Sequence, residues 1–271
     1  MRPRLLALDL DGTVLTEDCR LPMGHALALA EIRRLGIEVV IATGRPLLTT
    51  RWIWRELGLA SPLVCFNGGW VGHPDRRPFV QCRLAEAQVL ELLDALDGAD
   101  GAVCCYPDAN TWIMSRETPF TRFWREVYQV PIEIRPDLAR TWRGDSLKLM
   151  FVAEPGRIPA LQREIHARFG ARFQVVISQS DRIEILPRLV TKAWGLARLA
   201  EHLGIDRAAV WAVGDADNDL EMVVWAGCGC AMGQASEALR EAARIILPGV
   251  QARGLCALVP RLEAALRSYR S

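Results

Sequence analysis

Arg4-Leu5-Leu6-Ala7-Leu8-Asp9-Leu10-Asp11-Gly12-Thr13 is the stretch whose reading decides the fold. Residues 4–10 read as a strand whose apolar side chains leave neither face polar, as expected of a strand buried on both sides in a parallel sheet. The strand ends in two carboxylates, Asp9 and Asp11, and a D-G turn. An unpaired carboxylate inside an apolar strand is costly. A cation near Asp9, either a metal ion or a lysine, would offset that cost. A plain strand followed by a turn is the alternative for these residues taken alone.

Strands and helices alternate onward from this point. Residues 23–35 have helical periodicity through Leu27, Ala30, Ile32 and Leu35, and Gly36 stops the helix. Residues 37–42 form a second strand, 47–57 a helix ending at Gly58, and 62–66 a third strand closed by Asn67-Gly68-Gly69. This order implies parallel pairing with helical crossovers. The pattern then changes. A hairpin at 70–83 precedes a helix at 84–97, strands at 101–106, 111–115 and 147–153, a helix at 157–169, and strands at 172–178 and 182–186. Consecutive strands without a helix between them predict antiparallel pairing. Alternation returns with helices at 192–203, 217–226, 236–243 and 254–268 and strands at 208–213, 228–232 and 244–247. The prediction is an α/β core built from residues 1–82 and 189–271, with an α+β domain inserted at 83–188.

Composition narrows the function. The 33 basic and 32 acidic residues give a net charge of +1, which offers no electrostatic reason to expect nucleic acid or an anionic membrane as partner. No apolar run approaches the ~20 residues of a membrane span. The apolar stretch after the first basic residues is cut short by Asp9 and Asp11, unlike a signal peptide. Eight scattered cysteines without a C-x-x-C pair predict reduced thiols in a cytoplasmic protein. Cys228 and Cys230 as a metal clip is the alternative. Only Lys148 and Lys192 are lysines, so a chain that otherwise uses Arg keeps a compact ammonium at two places.

In a parallel sheet, ligands bind at the carboxyl ends of the strands. There the sequence places Asp9 and Asp11, Thr43-Gly44-Arg45, Asn67-Gly68, and Gly214-Asp215-Ala216-Asp217-Asn218-Asp219. Carboxylates with no nearby histidine form a hard-oxygen set suited to Mg²⁺ rather than Zn²⁺. Asp217 also reads as a helix-start cap. Thr43-Gly44-Arg45 is either a strand-to-helix turn or a hydroxyl and amides donating to a phosphoryl oxygen. Lys192 opens a helix and is either a solvated helix-start cation or, because a cation is unfavourable at that end, one with an anion near it.

Taken together, Asp9-Leu10-Asp11-Gly12-Thr13-Val14, Thr43-Gly44-Arg45, Lys192 and Gly214-Asp215-Ala216-Asp217-Asn218-Asp219 resemble the four ordered motifs of the haloacid dehalogenase superfamily. Thr43 follows Asp9 too closely for a domain to be inserted between them. The long stretch from Thr43 to Lys192 resembles the position of the type IIB cap in the Cof-like group. Asn67-Gly68-Gly69 and Cys230-Ala231-Met232-Gly233 are similar to that group's N-G-A and V-A-M-G segments. Ala193, Gln234, Arg244, Val250, Ala252 and Arg253 depart from its pattern while Gly254 keeps it.

The resemblance implies a Rossmann-like parallel-sheet core with an inserted α+β cap of type C2B that closes over the site. It implies a Mg²⁺-dependent phosphatase acting on a small phosphorylated metabolite, such as a sugar phosphate or phosphoglycerate, through an aspartyl-phosphate. Asp9 would be the nucleophile and Asp11 the general acid and base. Thr43 and Lys192 would complete the catalytic set. Leu10, Gly12, Thr43, Gly44, Arg45, Asn67, Lys192 and Asn218 would bind phosphate or substrate. Asp9, Asp11 and Asp215 would hold Mg²⁺, with Asp219 behind them. A phosphomutase, or a phospho-ligand-binding protein without catalysis, is the alternative. In the insert, Trp112, Trp124, Trp142, Arg116, Arg122 and Arg125 are either ligand contacts or packing and solvated surface. Lys148 falls outside every motif, so Lys148→Arg is expected to leave turnover unchanged. Lys192→Arg is expected to lose turnover with little change in stability.

Overall fold

The computed structural model describes residues 1–268, which divide into two compact units. The first comprises residues 1–44, 51–80 and 191–268, and the second residues 45–50 and 81–190.

The first unit is built on a parallel sheet. Its strands are β1 (Leu5–Leu8), β2 (Glu38–Ile41), β12 (Val210–Gly214), β13 (Cys228–Ala231) and β14 (Ile245–Ile246), in the order β14-β13-β12-β1-β2. β3 (Leu63–Cys65) joins beside β2 through a parallel bridge from Ala42 to Val64, then pairs antiparallel with β4 (Trp70–Gly72). β1 is central, paired in parallel with both β2 and β12. Its side chains alternate between two buried faces. Leu5 and Ala7 pack with Leu196, Leu199 and Ala200 of α7 (Lys192–His202) and Met222 of α8 (Leu220–Trp225). On the same unit, α1 (Met23–Arg34) contacts β2 and α10 (Leu258–Arg267). Burial on both faces explains the apolar run of β1.

The second unit is a six-stranded sheet ordered β10-β11-β9-β6-β7-β8. Its strands are β6 (Ala102–Cys105), β7 (Trp112–Met114), β8 (Ile132–Ile134), β9 (Leu149–Val152), β10 (Phe173–Gln179) and β11 (Arg182–Pro187). Val103, Cys105, Ile113, Leu149, Phe151, Ile183 and Ile185 pack with α3 (Glu86–Ala95), α5 (Leu138–Thr141) and α6 (Ile158–Phe169). The sheet is mixed, since β7 and β8 run parallel and are joined through α4 (Pro119–Tyr128). The antiparallel expectation for consecutive strands without a helix between them holds for β6–β7 and β10–β11; β8 lies in a stretch from which no strand was expected. Trp112, Trp124 and Trp142 are buried; Trp112 packs edge-on against Tyr106 and Trp124. Arg116 pairs with Asp100, and Arg125 with Glu117 and the Ile132 carbonyl.

All eight cysteines are free thiols, five of them buried. Burial pushes the Cys104 thiol up to about 12. Among the described residues, no helix is long and apolar enough to cross a membrane.

Candidate active site

The site lies at the carboxyl edge of the parallel sheet. β1 delivers Asp9, whose backbone N–H donates to the Val213 carbonyl of β12 at 3.0 Å. This keeps the residue in register after the strand formally ends. Asp9 is 4% exposed. β12 ends in Gly214-Asp215, and the turn to α8 supplies Asp219, which is fully buried. The Asp219 Oδ2 accepts from the backbone N–H groups of Asp215 and Ala216 at 3.0 and 3.1 Å. A side chain at Gly214 would overlap the Asp219 carboxyl, so the strand can end this tightly only with glycine there.

Lys192 joins the two strand tips. It is the first residue of α7, whose start is capped by the Thr191 hydroxyl accepting from Trp194 N–H. Its Nζ donates to Asp9 Oδ1 and to Asp219 Oδ1, both at 2.6 Å. The lysine is 2% exposed. Burial works to lower its pKa, but the carboxylates of Asp219 and Asp9 outweigh burial and the net shift is upward. Lys192 is therefore an ammonium at every physiological pH. Burial pushes the Asp9 carboxyl well above its usual range, and Asp219, Asp215 and Asp11 push the same way while Lys192 opposes them. Burial, then Asp219, raises Asp215 to about 6, against the hydrogen bond from Thr13 Oγ1 at 3.1 Å. One ammonium thus faces the three carboxyl groups of Asp9, Asp215 and Asp219.

Oxygens of Asp9, Asp215 and Asp219 lie within 4.8 Å of one another, the spacing a metal ion requires. Two oxygens are already committed: Asp219 Oδ1 to Lys192, and Oδ2 to backbone amides. Asp9 and Asp215 each retain an oxygen beyond those hydrogen bonds. A hard, all-oxygen donor set with an uncompensated charge fits Mg²⁺. Gly12 makes room for the Asp215 carboxylate. Its φ is +81°, and a side chain there would overlap the Asp215 carboxylate.

The remaining sequence-predicted residues fall into three groups. Thr43 is buried, with its N–H on the Val64 carbonyl and its own carbonyl accepting from Asn67 N–H. Asn67 takes a positive φ, and its Oδ1 accepts from Asn218 Nδ2 at 3.2 Å. Gly44 lies against the Asn67 carboxamide. Thr43, Gly44, Asn67 and Asn218 therefore form one cluster. The loop after β1 forms the second group: Asp11 is half-buried, the Leu10 carbonyl accepts from Val14 and Leu15, and Gly12 N–H donates to the Leu15 carbonyl. The Gly12 amide is thus already engaged within the loop. Arg45 stands apart. It belongs to the second unit, where its guanidinium lies 5.6 Å from the Tyr128 ring centre and Nη1 donates to Tyr128 Oη at 3.4 Å.

Two contacts escaped the sequence reading. Thr13, quoted there only as part of a motif, holds Asp215. Gln234 holds Gly12, with Nε2 donating to the Gly12 carbonyl at 2.5 Å. The only signal for Gln234 was its departure from the family pattern. Cys228 and Cys230 lie in β13 and, among the described residues, belong to no ligand cluster.

The profile of the haloacid dehalogenase-like hydrolases matches residues 6–257. The 5-amino-6-(5-phospho-D-ribitylamino)uracil phosphatase of Bacillus subtilis is 29% identical over 255 residues, covering 89% of this chain and 91% of that protein. The HMP-PP phosphatase of Escherichia coli is 30% identical over 246 residues, covering 88% and 86%. Among solved structures, a haloacid dehalogenase-like hydrolase from Bacteroides thetaiotaomicron superposes with a TM-score of 0.84 at 25% identity, covering 96% of this chain and all of that one. A subclass IIB sugar phosphatase superposes with a TM-score of 0.83 at 17% identity, covering 96% and 99%, a likeness of fold.

Proposed function

Because this chain belongs to the haloacid dehalogenase-like hydrolases and is a phosphatase of their Cof-like IIB group, we propose that it hydrolyses a small phosphorylated metabolite through an aspartyl-phosphate on Asp9. The supporting observation is the single ammonium of Lys192 bridging Asp9 and Asp219 at 2.6 Å. It fixes one Asp9 oxygen and leaves the other to attack.

In the first step, that Asp9 oxygen forms a bond to phosphorus as the bond from phosphorus to the leaving oxygen breaks. Asp11, protonated at that moment, gives its proton to the departing alkoxide. In the second step, water attacks phosphorus, Asp11 takes the water's proton, and the acyl-phosphate bond from the Asp9 oxygen to phosphorus breaks, returning the carboxylate and releasing phosphate. Lys192, Thr43 and the Asn67–Asn218 pair face the phosphoryl group and hold it for in-line transfer, where positioning and charge stabilisation dominate. Mg²⁺, held by Asp9, the Asp11 carbonyl and Asp215, would neutralise charge on the phosphoryl oxygens. Asp219 orients Lys192 and stiffens the Asp215 turn.

The test is phosphate release from an aryl phosphate and from a panel of hexose, pentose, glycerate and heterocycle-linked phosphates. Asp9→Asn should abolish release while the protein stays folded, because the nucleophile is lost at constant shape. Substantial turnover by that variant would overturn the covalent route. Chelation should stop wild-type turnover and Mg²⁺ restore it; activity surviving exhaustive chelation would remove the ion from the reading.

A further inference from the structure

Asp11 sits on an irregular loop, not on a strand or helix, yet a general acid must meet the leaving oxygen within about 2.6–3.2 Å. We propose that the C-terminal tail loop, residues 247–255, braces the Asp11 loop through two side-chain ties, and that Gln234 is a positioning residue for Asp11. This rests on Asp11 being the general acid.

The first tie runs through one carboxamide. Gln234 Nε2 donates to the carbonyl of Gly12, the residue after Asp11, while Gln234 Oε1 accepts from Val250 N–H at 3.0 Å. A carboxamide donates at one end and accepts at the other without charge. The second tie runs through His25, which is fully buried. Its Nδ1 donates to the Val14 carbonyl at 3.0 Å, and its Nε2 accepts from Leu255 N–H at 3.4 Å. Two consecutive stretches of the tail are thus pinned to two positions on either side of Thr13, itself bonded to Asp215.

The post on which these ties pull is stiff. A side chain at Gly254 would overlap the Pro248 carbonyl, and one at Gly233 would lie 2.9 Å from Gly249 N. The tail therefore packs backbone to backbone against the turn that carries Gln234. The sequence departures at 234 and 250 also fit each other. Val250 offers no polar side chain, and Gln234 reaches its backbone N–H instead.

Gln234 lies at the solvent edge, so its tie is modest, and its effect should appear in proton transfer rather than in folding. The experiment compares Gln234→Ala, Gln234→Glu and Gln234→Asn in the full chain with a good aryl and a poor alkyl leaving group, beside Asp11→Asn. Gln234→Ala should lower kcat for the alkyl phosphate by about three- to tenfold, one hydrogen bond's worth. The aryl phosphate should change less than twofold, with KM and Tm nearly unchanged. Gln234→Glu, which cannot donate to Gly12, should lose at least as much. Gln234→Asn, too short to span both partners, should resemble Ala. Equal losses for both leaving groups, or none, overturn the brace. If Asp11→Asn itself shows no leaving-group dependence, the acid role of Asp11 fails instead, so the two failures are distinguishable.

Discussion

Both lysines of an arginine-rich chain are buried and each holds a carboxylate, which is what the compact ammonium is for. Lys192 sits between Asp9 and Asp219. A planar guanidinium cannot place one nitrogen 2.6 Å from both oxygens in the same volume, so Lys192→Arg should lose turnover on the order of 10²-fold or more. The geometry corrects the expectation of unchanged stability. Lys192→Ala strands two buried carboxylates, and breaking such an arrangement costs about 3–5 kcal/mol. Its melting temperature should fall further than that of Lys192→Arg, which keeps the charge. Near-normal turnover of Lys192→Arg, measured per folded molecule, would remove this residue from the site. Lys148 is not the neutral contrast its position outside the motifs suggested. It is 1% exposed, donates to Glu184 at 2.6 Å, and lies 5.4 Å from the Tyr106 ring centre. Lys148→Arg should therefore destabilise the second unit by overpacking.

At the level of elements, the start of α7 is set by two glycines. A side chain on Gly195 would lie 2.6 Å from Gly68 Cα and 2.7 Å from Val64 Cγ1. One on Gly68, at φ +105°, would overlap the Thr191 carbonyl. This contact fixes where the helix begins, hence where Lys192 points. Gly195→Ala should push the helix start away, costing about 1–3 kcal/mol as overpacking does, and lower kcat well beyond the loss of folded protein. A melting-temperature drop with kcat intact would show that Lys192 tolerates the shift. The strand tips were legible because carboxylates after apolar runs stand out and strand alternation is a strong signal. No strand or helix was read between 116 and 146. β8 and α5, at three and four residues, are too short to show a period, and α4 carries Thr118 as N-cap and Pro119 at its first turn, signals that are easily lost among charged residues. The ties from Gln234 to Gly12 and from Leu255 to His25 join residues 222 and 230 positions apart. No local pattern encodes such contacts, because they exist only once two loops have been brought together.

For the molecule as a whole, two linkages follow. Burial lowers the pKa of His25 below its ordinary 6.5, the bond to Val14 opposing only in part. A base whose folded pKa is depressed contributes stability that is complete above the unfolded value and is lost as pH falls through the folded one. Melting temperature should therefore decline below about pH 6.5, and His25→Gln should flatten that segment; an unchanged decline in the variant would exclude His25 as its source. The second linkage is the charge imbalance at the sheet edge, where Asp9, Asp215 and Asp219 face the ammonium of Lys192. Such repulsion is retained at a cost in stability when the site needs it to hold a cation. Mg²⁺ should consequently stabilise the folded chain: at 100 times its Kd the gain is about 2.7 kcal/mol, and each kcal/mol raises Tm by about 2–4 °C in chains of this size class. Asp215→Asn removes one negative charge while keeping the acceptor for Thr13. It should raise the Tm of the metal-free protein and abolish the Mg²⁺-dependent rise together with turnover. A melting temperature indifferent to Mg²⁺ in the wild type, or an undiminished rise in Asp215→Asn, would show that the buried carboxylates serve the fold through Lys192 alone.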